Sequence, residues 1–252
     1  MGIGYFDGVQ AGLDKRMSNG LAFNARYTFS KALSSTDATF NNISGGLYVS
    51  QDANVVGDLK SLARFDTPHA FTIGYTYNLP WARNLRGVGG AILGGWEISG
   101  NTTYKTGTPT HIHTGSEAPG YGNVDGAGGD RPNILNQSII GKCVCHPDTT
   151  QLVYTPVNFD TNLPPGGRGN IGYLLFRDDG THNWNMSMAK RFRLPEAMGR
   201  EPQLQFRAEF YNWMNQAQFD ELNHNIASEL FSAILSTVNK GRVVQLGLKL
   251  QF

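Results

Sequence analysis

From Leu21 to Ser30 the chain alternates without a break. Leu21, Phe23, Ala25, Tyr27 and Phe29 fall on one side, and Ala22, Asn24, Arg26, Thr28 and Ser30 on the other. Successive side chains of a strand point to opposite faces, so this pattern specifies a strand with one apolar and one polar face. The alternation recurs. Phe71, Ile73, Tyr75 and Tyr77 oppose Ala70, Thr72, Gly74 and Thr76, and Leu204, Phe206, Ala208 and Phe210 oppose Gln205, Arg207, Glu209 and Tyr211. Val244, Leu246, Leu248, Leu250 and Phe252 oppose Gln245, Gly247, Lys249 and Gln251. Strands are predicted at about 6–15, 21–31, 69–77, 96–105, 182–192, 203–212 and 243–252. Asn19-Gly20 supplies the positive φ of a tight turn between the first two.

The connections alternate as well. Segments 16–20, 78–95 and 193–202 are short, whereas 32–68, 106–181 and 213–242 are long. Strands of about ten residues, short turns at one end, long loops at the other and aromatic girdles describe a transmembrane β-barrel. Phe29, Trp184, Phe210 and Trp213 fall toward the outer side, and Tyr75, Tyr77, Trp81, Trp96 and Phe252 toward the periplasmic side. The polar faces carry Arg26, Glu97, Lys105, Arg207 and Glu209. Between two dry sheets such charges would lose hydration that pairing repays poorly, and a water-filled lumen removes that cost. The predicted fold class is therefore all-β: an antiparallel transmembrane barrel segment of about seven strands, spanning 1–252. The competing reading is a soluble, secreted binding or adhesion module whose apolar faces pack sheet on sheet.

Composition narrows the function classes. With 21 basic and 20 acidic residues there is no global field to attract nucleic acid. No run approaches the ~18 apolar residues of a spanning helix, and 31 glycines in 252 residues argue against a helical bundle. Gly167-Arg168-Gly169-Asn170-Ile171-Gly172 matches a dinucleotide fingerprint literally. Pro164-Pro165 stands where a buried strand is needed, so it reads as a flexible loop. Gly87 to Gly95 reads as a periplasmic turn. Cys143, Cys145 and His146, with His111 and His113, lack the spacing of a structural zinc site and read as an incidental loop cluster. No nucleophile sits in a recognisable elbow, so no catalytic residue, metal or cofactor is expected. Phe219, Leu222, Ile226, Leu230 and Ile234 lie at near-helical spacing, leaving helix or strand open over 216–238.

Gln245, Gly247, Leu250 and Phe252 follow the order polar, glycine, apolar, terminal aromatic. This resembles the C-terminal signal read by the outer-membrane barrel assembly machinery. The wider chain resembles the C-terminal barrel of TonB-dependent outer-membrane receptors of the Oar-like branch. The resemblance is carried by Ala25-Arg26-Tyr27-Thr28-Phe29-Ser30-Lys31, Arg64-Phe65-Asp66-Thr67-Pro68-His69, Gly94-Gly95-Trp96-Glu97, Asp130-Arg131-Pro132-Asn133 and Phe206-Arg207-Ala208-Glu209-Phe210-Tyr211-Asn212. It implies a 22-strand barrel of which these seven are part, lipid around the barrel, an N-terminal plug and TonB reached through upstream sequence, and an imported ligand. The start at Met1 carries no signal peptide or plug, so the chain is expected to be the C-terminal part of such a receptor. Arg26, Glu97, Lys105, Arg207 and Glu209 would then contact the ligand or the plug.

Overall fold

A computed structural model describes residues 3–35, 51, 57, 60–81, 87–115, 130–142, 154–164, 166–196 and 201–251. Seven long strands form one antiparallel meander in chain order: β1 (Gly4–Ser18), β2 (Leu21–Ser34), β3 (His69–Asn78), β4 (Trp96–Lys105), β5 (Thr181–Arg193), β6 (Gln203–Tyr211) and β7 (Val243–Gln251). All seven lie where the alternation predicts them. β1 and β2 run longer than expected, because strand pairing continues to Ser18 and leaves only Asn19 and Gly20, at φ 52° and 80°, to make the turn.

Register is the property that matters. Cross-strand partners share a face, and the ladder sets Leu21 against Tyr77, Tyr77 against Ile98, Ile98 against Met188, Met188 against Ala208 and Ala208 against Leu246. The next row joins Phe23, Tyr75, Gly100, Met186, Phe210 and Val244. Every apolar stripe seen in the sequence therefore merges into one continuous apolar face. Among the described residues no second sheet lies against that face: Leu248 is 70% and Val9 68% exposed. A one-residue slip anywhere would turn a whole strand inside out.

Glycine shapes this face at one point. A Cβ on Gly100 would stand 2.7 Å from the Tyr75 hydroxyl, so the ring can cross the strand, and Trp184 Nε1 donates to that hydroxyl at 3.0 Å. Tyr75 and Trp184 thus meet, although the sequence assigns them to opposite ends. At the long-loop end Tyr27 and His69 are hydrogen-bonded at 2.7 Å, and Tyr104 meets His182 edge to face.

The short-turn end holds a surprise. Residues Gly87–Leu93, expected as plain turn, form a short helix, α1. At the opposite end the long connections fold into a lobe. Its core comprises Ile112, Ile134, Ile139, Tyr154, Phe159, Ile171 and Phe176 from one connection and Leu222, Ile226 and Phe231 from the other. Segment 216–238 is neither of the two alternatives. It is an irregular hairpin closed by isolated bridges, Phe219 to Thr237 and Leu222 to Ile234, so its apolar residues reach the core without regular secondary structure. Gly167 to Gly172 is a loop, as expected, and it is packed against its surroundings. No helix follows it, Gly169 passes so close to the Arg131 and Pro132 carbonyls that no Cβ would fit, and Gly169 N–H donates to Gln51 Oε1 at 3.1 Å.

Leu248→Arg is expected to lower folding stability in lipid by about 2–4 kcal/mol, whereas Lys249→Gln on the opposite face is neutral. Equilibrium denaturation from phospholipid vesicles reads the difference, and equal effects would refute the assignment of faces.

Candidate functional site

The opposite face of the sheet is mostly polar, with Phe6, Ala22, Ala32, Ala70 and Ala189 among its apolar positions. One transverse row joins Asp14, Asn24, Gly74, Asn101 and Asn185, and the next joins Ala22, Thr76, Ser99, Ser187, Glu209 and Gln245. All of these but Gln245 line an open groove of about 710 Å³. Asn24 Oδ1 accepts from Gly74 N–H at 3.0 Å, which the missing side chain at Gly74 permits.

All five charged residues expected on this wall are there, but the structure does not gather them. Arg207 and Glu209 pair at 2.8 Å, Arg207 Nε donates to Ser187 Oγ at 3.2 Å, and the Tyr211 hydroxyl donates to Glu209 at 2.9 Å. Both line the groove. Arg26 reaches across Gly12 to make a two-pronged bond to Asp14, each prong 2.8 Å. Glu97 lies toward the short-turn end with Asn78, Arg191 and Gln205, and Lys105 lies at the long-loop end beside Phe65 and Asp179. Gln245, Gly247 and Leu250 sit in β7 opposite Glu209, Arg207 and Leu204, and Phe252 lies outside the described residues.

The residues that tie the lobe to the sheet were not singled out as a site by the sequence. Asp66 is fully buried: one carboxylate oxygen accepts from Ala32 N–H at 2.5 Å, and the other pairs with Arg177. Arg177 also donates to the carbonyls of Asp66 at 3.1 Å and Gly107 at 3.0 Å. Asp130 and Arg131 are buried as well, with Arg131 N–H donating to Gln51 Oε1 at 3.0 Å and its guanidinium 5.6 Å from the Tyr173 ring centre. The signal was present in the quoted Arg-Phe-Asp-Thr-Pro-His and Asp-Arg-Pro-Asn stretches, where charge stands inside otherwise loop-like sequence.

A histidine cluster joins the two connections. The His111 ring lies 5.6 Å from that of His113 and 6.3 Å from that of His224. Thr110 Oγ1 bonds His224 at 2.9 Å, His113 N–H donates to the His224 carbonyl at 3.1 Å, and Ile226 N–H donates to the His113 carbonyl at 3.0 Å. Burial pushes all three imidazoles below their ordinary pKa, His224 to about 4, and their mutual proximity pushes His111 and His224 further. Burial raises Asp178 to about 7, with Glu221 adding to the shift. Among the described residues no three His, Cys, Asp or Glu side chains are placed to hold a metal ion. Cys143, Cys145 and His146 lie outside the described residues.

Comparison with protein-family models matches residues 1–245 to the outer membrane beta barrel domain. The chain belongs to that family, and its place is the outer membrane. Searches of curated proteins and of solved structures return no match. Membership overturns the soluble, secreted alternative. The physical reason is the apolar face itself, which has lipid rather than a second sheet as its partner. It also gives the open, polar groove its meaning as lumen wall, since an outer-membrane barrel is apolar outward and polar inward.

Two measurements probe the lobe. Asp66→Ala leaves Arg177 without its carboxylate in a buried setting and is expected to cost about 3–5 kcal/mol, read by denaturation of the detergent-solubilised protein. The histidines are held neutral, so their stabilisation is complete above the unfolded value of 6.5 and declines as pH falls toward about 4. Asp178 opposes this with one group against three. Exchange protection at the Ile226 amide, corrected for intrinsic rates, should drop across that window and respond less in His224→Gln. Identical profiles in both proteins would rule the cluster out as the cause.

Proposed function

We propose that this chain is the C-terminal barrel region of a TonB-dependent receptor of the Oar-like branch, which captures a ligand outside and passes it inward through a plugged lumen. The observation that carries this reading is the wall. It is mostly polar, it carries the Arg26–Asp14 and Arg207–Glu209 pairs, and it opens onto a groove whose volume suits a small ligand. The folded lobe supports the same reading, since it presents a built surface at the long-loop, extracellular end. The quoted stretches on β2, β4 and β6, with Arg64 to His69 and Asp130 to Asn133, are those that resemble this receptor branch.

The wall and the upstream plug would meet at Arg26, Glu97, Lys105, Arg207 and Glu209. Among the described residues β1 and β7 each pair along one side only. Backbone groups in hydrocarbon require partners, and the remaining strands of a 22-strand barrel would supply them. Assembly would proceed through the Gln245, Gly247, Leu250 and Phe252 signal. No covalent chemistry is needed, and the barrel is proposed as a conduit rather than an enzyme.

Conductance tests the proposal. The complete receptor in a planar bilayer is expected to be closed at rest and to open reversibly when urea displaces the plug. Arg207→Glu should shift the opened conductance toward cations. A pore that conducts at once without denaturant would make the protein a porin and end the receptor reading.

A further inference from the structure

We propose that α1 (Gly87–Leu93) is an interfacial anchor, lying on the outside of the barrel in the phospholipid of the periplasmic leaflet. Lys190 is the first observation. By register it shares the apolar face with Trp96, Phe206 and Leu248, yet it is only 3% exposed. Its Nζ donates to the Ile92 carbonyl at 2.8 Å and to the Gly94 carbonyl, and it lies over the rings of Trp96 and Phe192 at 5.5 and 5.0 Å. Trp96 Nε1 donates to the same Ile92 carbonyl at 3.0 Å. A cation on the lipid side of a strand is tolerable where it reaches the interface and finds acceptors. Here the acceptors are the unpaired carbonyls at a helix C-terminus, where the helix dipole also favours positive charge.

The second observation is the helix itself. It has seven residues, three of them glycine, and no charged residue at either end. Such a helix is unstable in water, since glycine is a poor helix former and so short a segment cannot repay nucleation. None of its residues is buried, and Val88, Ile92 and Leu93 are 76%, 56% and 59% exposed. A partner must therefore cover an apolar surface that the protein leaves open. Phospholipid fits, because the anchoring side chains Trp96 and Lys190 belong to the lipid-facing belt and the helix continues that belt past the strand ends. Trp81, 69% exposed at the same end, has the amphipathic ring favoured at headgroup depth.

The test uses the complete receptor in phosphatidylcholine–phosphatidylglycerol vesicles, in a Cys143→Ser, Cys145→Ser background with an NBD label on Val88→Cys. Its emission should be quenched severalfold more by phospholipid carrying doxyl near the headgroup than by aqueous iodide. Lys190→Met should reverse that preference, and Lys190→Arg should restore it. A second label on Leu248→Cys, quenched by doxyl near the acyl terminus, reports insertion of the barrel independently. With Leu248 in lipid, quenching of the Val88 label by iodide alone would place the helix in water and overturn the proposal. Protection from both quenchers would assign it to a protein partner and overturn it equally.

Discussion

The cross-strand backbone ladder is the interaction on which everything else depends. In hydrocarbon an unpaired N–H or C=O has no water to turn to, so a spanning sheet must satisfy each one through a neighbour. Once the ladder is laid down, side-chain direction is no longer free. The pairing of Leu21 with Tyr77, Ile98 with Met188 and Ala208 with Leu246 puts lipid-soluble residues on one side of every strand. The same bonds put Asn24, Asn101, Asn185 and Ser187 on the other. One set of hydrogen bonds thus fixes both the membrane surface and the lumen wall, and neither can change without the other.

This leaves the sheet without a core of its own, and the protein places one elsewhere. The buried apolar cluster lies in the loop-end lobe, built from two connections that are far apart in sequence. A lobe of irregular segments has few ladder bonds to orient it, so it relies on buried polar groups. Asp66 is the hinge between the two regimes: it accepts from a β2 amide and holds Arg177 of the lobe. Buried pairs of this kind cost desolvation and are replaceable by apolar contacts in terms of stability alone. Their use here fits a need for one defined geometry at the mouth of a barrel, where apolar packing alone would leave the segments free to rearrange.

Most of the sheet was legible in the sequence because a two-residue period survives any tertiary context that keeps one face in lipid. All seven strands and the polar placement of Arg26, Glu97, Lys105, Arg207 and Glu209 followed from it, and the first turn followed from the readiness of Asn19 and Gly20 to take positive φ. The misses share a cause, which is that they depend on partners distant in sequence. Gly87–Leu93 has the composition of a turn and is helical because Lys190 and Trp96, with the surrounding apolar belt, hold its end. Segment 216–238 has a helical spacing, yet its residues are drawn into an irregular hairpin by a core whose other half begins a hundred residues earlier. Asp66, Arg131 and Arg177 look like loop charges until the lobe closes over them.

The charges on the wall behave differently from those in the lobe, and the difference bears on what each can do. The Arg26–Asp14 and Arg207–Glu209 pairs are largely exposed, and pairs of that kind contribute about 0–1 kcal/mol. They fold nothing, but they leave each partner able to exchange its neighbour for another polar group at little cost. Asp66 and Arg177 have no such freedom, since opening that pair strands a charge away from water. A lumen built from exchangeable pairs beneath a lobe built from fixed ones separates the surface that adapts from the surface that holds shape. In an outer-membrane barrel that separation lets substitutions along the wall tune selectivity while stability remains governed by the ladder, the lipid face and the lobe.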